Sequence, residues 1–369
     1  MTGIQLSATA AIPCRDLTRH VGIFGATGTG KTTTAAAIAE RAPCPVLILD
    51  AKGDLELLGK LHAPRMSLSE MGADFVARAL DLSDAQAGAL QITMAWAEDL
   101  GRAVDTLADL RGLLGDTMQQ AGDLAGLYGL VSPISLAAVS RGILRLERAT
   151  PWLFGRGAPD WRRVAGLNVV SCRWIADVPG LYGAFAAHVL DSLYRGLGEI
   201  GDAGAPGLMV MIDESHLLFD GASPAIVRRI DQITRLVRSK GVGLIYVTQS
   251  PADLPDSVLG QLGTRLQHGL RGATPRQQKA IRAAAETMAV VPDAIQRLGV
   301  GEAFLSLAGG QGKRVTVAPG NRPFGSDPAF QPWQDAPTRK RPEPGPPIDW
   351  DAIDPPLPLP VPWWRRLFR

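Results

Sequence analysis

Eight residues, Gly25-Ala26-Thr27-Gly28-Thr29-Gly30-Lys31-Thr32, carry the spacing G-x-x-x-x-G-K-[ST] without a mismatch. Glycines so placed let successive backbone N–H groups turn toward one anion, and a helix opening at Lys31 adds the partial positive charge of its N-terminus. In that chemistry Lys31 contacts the β- and γ-phosphates of ATP and the Thr32 hydroxyl ligates Mg²⁺, with Thr33 beside them. The glycine order G-x-x-G-x-G disfavours a Rossmann dinucleotide site, which asks for G-x-G-x-x-G.

Phosphate binding alone hydrolyses nothing. The run "LMVMIDESH" ends an apolar strand in Asp213-Glu214. A carboxylate there can hold Mg²⁺, and the adjacent one can serve as general base toward water. We assign Asp213 to the metal and Glu214 to the base. "LIYVTQSP" places Gln249 at another strand end, where its amide can sense the γ-phosphate or the lytic water. Asp50, closing "VLILD", is a further polar strand end expected at the nucleotide. Hydrolysis also needs a cation on the developing charge besides Lys31. Arg238 in "RLVRSKG" and Arg265 in "GTRLQHGL" are the candidates, and a cation supplied by a neighbouring subunit would require an oligomer.

These residues need a rigid scaffold at their backs. The runs "HVGIFG", "PVLILD", "LNVVSC", "LMVMID" and "GLIYVTQ" are continuously apolar, as parallel strands covered on both faces must be. Further strands are predicted at 264–270, 302–308 and 313–317. Helical stretches between them predict an α/β fold with a doubly wound, mainly parallel sheet. Residues 67–148 show no strand and read as an all-helical insertion, with Ser83 as an N-cap. The expected organisation is a core of 1–66 and 149–318, the helical insertion at 67–148, and a tail at 319–369. That tail holds 14 of the 28 prolines, including "RKRPEPGPP", and ends in the aromatic and basic run Trp363 to Arg369. It is expected to be extended and disordered.

Composition sets outer limits. Apolar residues make up 46% and charged residues 20%, which fits a globular chain. A formal charge of +2 gives no global basic field for nucleic acid, so any such contact must be local. Three widely spaced cysteines form no CxxC pair and favour reduced thiols. No apolar run of about 18 residues suggests an integral membrane segment, so a cytoplasmic protein is expected.

Taken together, "GATGTGKT", "DAKGDL", "DESHLLF", the long stretch "RLVRSKGVGLIYVTQSPADLPDSVLGQLGTRLQHGLRGATPRQQKAI" and "AAAETM" resemble the bacterial YjgR-type proteins of the HerA/FtsK superfamily of ring-forming ATPases. The resemblance runs from about Arg19 to Ala318. It implies a RecA/ASCE-like P-loop NTPase core, with Lys31 and Thr32 at nucleotide and Mg²⁺, Asp213 and Glu214 as the hydrolytic pair, and Gln249 as sensor. Arg238 falls where the superfamily keeps an arginine acting on the neighbouring subunit's ATP. Arg265 matches a second family arginine. Larger members translocate duplex DNA as hexamers. This chain departs from them in having only about twenty residues before the first strand, too few for their N-terminal barrel.

Two functions follow as expectations. One is a ring-forming ATP-driven helicase or translocase on duplex DNA, hexameric as the resemblance implies. The other is an ATP-switched assembly protein that meets a protein partner through the helical insertion or the Pro-rich tail. A small-molecule kinase is disfavoured, because Asp213-Glu214 with Gln249 suits activation of water.

Overall fold

The computed structural model describes residues 3–201, 203–272 and 274–332. "RKRPEPGPP" and the Trp363–Arg369 run therefore lie outside the described residues.

Eleven strands occur among the described residues: β1 (Gly3–Gln5), β2 (Ala11–Pro13), β3 (Val21–Phe24), β4 (Val46–Asp50), β5 (Lys60–His62), β6 (Leu167–Ser171), β7 (Leu208–Ile212), β8 (Val242–Thr248), β9 (Thr264–His268), β10 (Glu302–Leu307) and β11 (Lys313–Thr316). Nine of them form one sheet in the order β11-β10-β9-β3-β8-β7-β4-β6-β5, while β1 and β2 pair as a separate hairpin. From β9 through β5 the neighbours are parallel; β10 and β11 extend the sheet antiparallel. All eight strands expected from the sequence are present. The hairpin and β5 were not anticipated, since three-residue strands leave too short an apolar pattern to read.

The continuous apolar runs are explained by two covered faces. Along β4, Leu47 and Leu49 join one core while Val46 and Ile48 join the other; along β7, Val210 and Ile212 oppose Met209 and Met211 in the same way. Successive side chains point to opposite faces, so a strand buried on both sides must be apolar at every position. The helix Lys31–Glu40 and the hairpin cover one face. The helices Leu181–Gly196 and Pro224–Leu236 cover the other.

Between β5 and β6 the chain forms six helices: Leu68–Met71, Ala73–Ala79, Asp84–Asp99, Leu107–Gln119, Ala121–Tyr128 and Pro133–Ala149. Ser83 closes a capping box with Gln86. Phe75, Val76, Leu90 and Leu110 are buried in the same apolar cluster as Phe185, Ile212 and Tyr246, so the helical block and the sheet share one core. Gly183 permits their close approach, because a Cβ there would fall 2.5 Å from the Leu217 carbonyl oxygen and onto the Arg78 guanidinium. Among the described residues no single helix is long and apolar enough to cross a membrane; Ala121–Tyr128 and Pro133–Ala149 pass only as a pair bent by 101°.

Residues 319–332 differ from the expected disorder. The Glu40 carboxylate accepts the Asn321 and Arg322 N–H groups at 2.7 and 3.0 Å, and Glu56 accepts the Asp327 N–H at 2.6 Å. Ser326 Oγ donates to the Gly53 carbonyl at 2.8 Å, and Arg173 donates to the Asp327 carbonyl at 3.1 Å. Proline removes backbone donors but leaves carbonyls and intervening N–H groups, and here the half-buried Glu40, the buried Glu56 and an arginine collect them.

Candidate functional site

The phosphate loop leaves the end of β3 and turns into the helix Lys31–Glu40. Gly25, Gly28 and Gly30 all lie at positive φ (153°, 78° and 107°), where side chains are strained. Gly30 has a second constraint: a Cβ would sit 2.9 Å from the Gly301 nitrogen. Neighbouring strands pin the loop. Gly25 donates its N–H to the Gln249 carbonyl, Ala26 to that of Gly269, and Gly301 to that of Thr29, each at 3.0 Å. The Ala26 carbonyl accepts both Thr29 Oγ1 at 2.7 Å and Lys31 Nζ at 3.1 Å. Below the loop, His268 bridges Thr34 Oγ1 (3.0 Å) and the Glu302 carbonyl (2.9 Å). Thr32 and Thr33 fall in the helix's first turn, and Thr27 and Gly28 are exposed at the loop's crest.

One strand, β8, separates β3 from β7, and Asp213-Glu214 follow the end of β7 directly. Asp213 is half-buried. Burial pushes its carboxyl up to about 7, and the charges of Asp50 and Glu214 add to the rise. Glu214 occupies the left-handed region (φ 43°, ψ 49°), a strained setting for a side-chain-bearing residue. The strain is sustained by its neighbours: Ser215 Oγ donates to the Val247 carbonyl at 3.1 Å, and the Tyr182 hydroxyl to that of Asp213 at 2.6 Å.

The Glu214 carboxylate forms an ion pair with Lys52, and His216 Nδ1 lies 3.1 Å from its other oxygen. Burial works to raise this carboxyl, but the Lys52 ammonium and the His216 ring beside it outweigh that and hold it down at about 2. Lys31 is held below its usual range by burial, against the fields of Glu214 and Asp213, which also mark it as their near neighbour. The structure thus brings Lys31, Asp213 and Glu214 to one rim, with Gln249 exposed beside Gly25.

Two expectations, Asp50 and Arg265, come out differently. Asp50 does not face the loop as a nucleotide ligand: Oδ1 accepts the Lys52 and Gly53 N–H groups at 3.3 and 2.8 Å, and Oδ2 that of Leu55 at 2.7 Å. It shapes the turn that presents Lys52. Arg265 sits early in β9, opposite Gly22 and Ser306, and donates to the Leu259 (3.0 Å) and Thr287 (3.5 Å) carbonyls. That ties two helices, Asp256–Leu259 and Pro275–Met288, to the sheet and leaves its catalytic assignment without geometric support. Arg238 precedes β8, whereas the site lies beyond that strand's other end. Seven residues of strand put it about 20 Å away, on the opposite rim. Nearby, two arginines of the helix Pro224–Leu236 are engaged within the chain, Arg229 with Asp191 at 2.6 Å and Arg235 with Asp231.

Lys52 and His216 were missed. The signal for Lys52 was its place two residues beyond the Asp50 strand end, on the rim where ligands gather. For His216 it was the spacing of two from Glu214 beyond a strand end.

A phosphate loop, one interposed strand and an acidic pair on the next strand define a P-loop NTPase of the RecA/ASCE-like type. The family is equally plain: a helicase HerA-like C-terminal family model matches residues 56–321 and a helicase HerA central-domain model matches residues 7–83, and the chain belongs to the HerA-like family of ATPases. It is 33% identical over 100 residues, 27% of its length, to the DNA double-strand break repair helicase HerA of Pyrococcus furiosus, and it spans only 18% of that relative. Among solved structures, the plasmid coupling protein TrwB in complex with ADP and Mg²⁺ superposes with a TM-score of 0.65 at 18% identity, covering 89% of this chain and 91% of that one. VirB4 of Thermoanaerobacter pseudethanolicus gives 0.58 at 15% identity, covering 82% and 90%. At such identities the likeness is one of fold.

Proposed function

We propose that this chain hydrolyses ATP with Mg²⁺ and, as a ring of identical subunits, drives movement along duplex DNA. The observation that carries the first part is the convergence of Lys31, Asp213 and Glu214 on one rim. Thr32 and Asp213 fit Mg²⁺, because a divalent cation would offset the burial, and after it the neighbouring carboxylates, that push Asp213 up. Thr32 and Asp213 would hold the ion, which would supply positive charge against the phosphates. Glu214 takes a proton from water as the water oxygen bonds to the γ-phosphorus. The bond from that phosphorus to the β,γ-bridging oxygen breaks, and its electron pair leaves with ADP. Gln249 orients the water from the adjoining strand end.

Support for DNA as the load comes from the family and from the named role of the Pyrococcus furiosus relative as a double-strand break repair helicase. Support for an oligomer comes from Arg238, which stands on the rim opposite its own site, so that a part in hydrolysis would have to be played at a neighbour's ATP. Steady-state phosphate release tests the reading. Wild type should turn over Mg²⁺-ATP, Lys31→Ala should lose nucleotide binding, and Glu214→Gln should bind ATP while turning over at least about a hundredfold more slowly. Duplex DNA should stimulate turnover in a salt-dependent way. Equal rates for wild type and Glu214→Gln would refute the hydrolytic assignment, and equal rates with and without duplex across low salt would refute the DNA assignment.

A further inference from the structure

Charge that builds on the γ-phosphoryl oxygens calls for a cation besides Lys31. Neither arginine expected from sequence supplies one within the chain's own site, since Arg265 is anchored to two carbonyls and Arg238 lies on the far rim. Lys52 is in the site. We propose that Lys52 is a second catalytic cation, whose ammonium exchanges between the Glu214 carboxylate and the γ-phosphate oxygens of bound ATP. This inference rests on the hydrolytic reading above.

The two ends of Lys52 are treated differently by the fold. Its backbone is fixed, because Asp50 holds the Lys52, Gly53 and Leu55 N–H groups, and Gly53 takes a left-handed turn (φ 80°) hard against Arg173. Its side chain is 43% exposed, so the ammonium can swing, whereas the Glu214 side chain is only 6% exposed and its backbone is pinned. The lysine is therefore the mobile partner. Reach follows from the chemistry: a general base lies one water away from the γ-phosphorus, so an ammonium touching that base is close enough for rotation of its stem to carry it to the γ-oxygens. A flexible stem with three rotatable donors suits exchange between two anions better than a planar guanidinium does. The γ-phosphate carries more negative charge than one carboxylate, so loading ATP draws the ammonium away and releases Glu214 to accept a proton from water.

Lys52→Met and Lys52→Arg in the full chain test this. Lys52→Met should lower kcat about a hundredfold. In the Glu214→Gln background it should weaken ATP binding about tenfold and leave ADP binding within about twofold, because only the triphosphate offers a γ-group. Lys52→Arg should recover part of kcat, and a circular dichroism melt should show the variants folded. A kcat unchanged or raised in Lys52→Met would overturn the proposal, leaving Lys52 a bystander or a mere restraint on Glu214. Equal weakening of ATP and ADP would also overturn it and assign the loss to loop structure. Should wild type show no turnover and Lys31→Ala bind ATP like wild type, the hydrolytic reading would fall, and this inference with it.

Discussion

The Tyr182 hydroxyl lies 2.6 Å from the Asp213 carbonyl and 3.2 Å from the Leu49 carbonyl, so one side chain of the helix Leu181–Gly196 staples the ends of two adjacent strands. The main chain that aims Asp213 and Glu214 is set from beneath by this contact. Tyr182→Phe keeps the ring and removes the donor, leaving buried carbonyls short of a partner. We expect a loss of about 1–2 kcal/mol in urea unfolding and a lower kcat with little change in ATP affinity. An unchanged kcat would show that the acidic pair is set without the staple.

Gly28 and Gly30 differ in what surrounds them. Both have positive φ, but a Cβ at Gly28 meets open space while one at Gly30 meets the Gly301 nitrogen at 2.9 Å. Gly28→Ala should cost about 1 kcal/mol from backbone strain alone. Gly30→Ala should cost about 2–3 kcal/mol and weaken nucleotide binding further, since the loop must move off Gly301. Equal melting points for the two variants would contradict the predicted contact.

Acid should destabilise the fold through buried neutral histidines. Burial lowers His20, His188 and His268 to about 4. His20 shows why the neutral form is held: Nε2 donates to the Thr234 carbonyl at 2.6 Å and Nδ1 accepts the Leu244 N–H at 3.0 Å. The folded value lies below the unfolded one, so the unfolded chain binds protons first as pH falls. Stability is fully present above about pH 6.5 and is lost toward pH 4, by up to about 3 kcal/mol per histidine. His20→Gln should flatten the decline of urea midpoint over that window; an undiminished slope would mean His20 does not contribute.

Arg238 should act between subunits. Arg238→Ala should bind ATP normally and lose turnover, as should Glu214→Gln. Mixing the two allows some sites to pair an intact Glu214 with a neighbour's intact Arg238, so activity should exceed the sum of the separate preparations. No recovery at any ratio would remove the trans assignment.

Sequence showed the strands well because parallel strands buried on two faces need uninterrupted apolar runs, as in β4 and β7. It showed the phosphate loop because glycine spacing is a local requirement. Strand order was not readable, since interposing β8 between β3 and β7 depends on contacts far apart in the chain. Side-chain commitments were equally hidden. Asp50 and Arg265 are the right residue types in the right neighbourhood, yet backbone N–H groups and carbonyls already claim them. Lys52 shows the reverse: it sits in an ordinary turn, and only the fold brings it onto Glu214. The proline count near the end suggested a free chain, but Glu40, Glu56 and Arg173 hold the stretch as far as Phe330.

Because Phe75 and Val76 are buried in one apolar mass with Phe185, the helical block cannot flap like a hinged door without wetting that mass. Force delivered to the block is passed straight into the sheet as through a stiff strut. In the proposed ring, mechanical work would therefore come from sliding or tilting between whole chains.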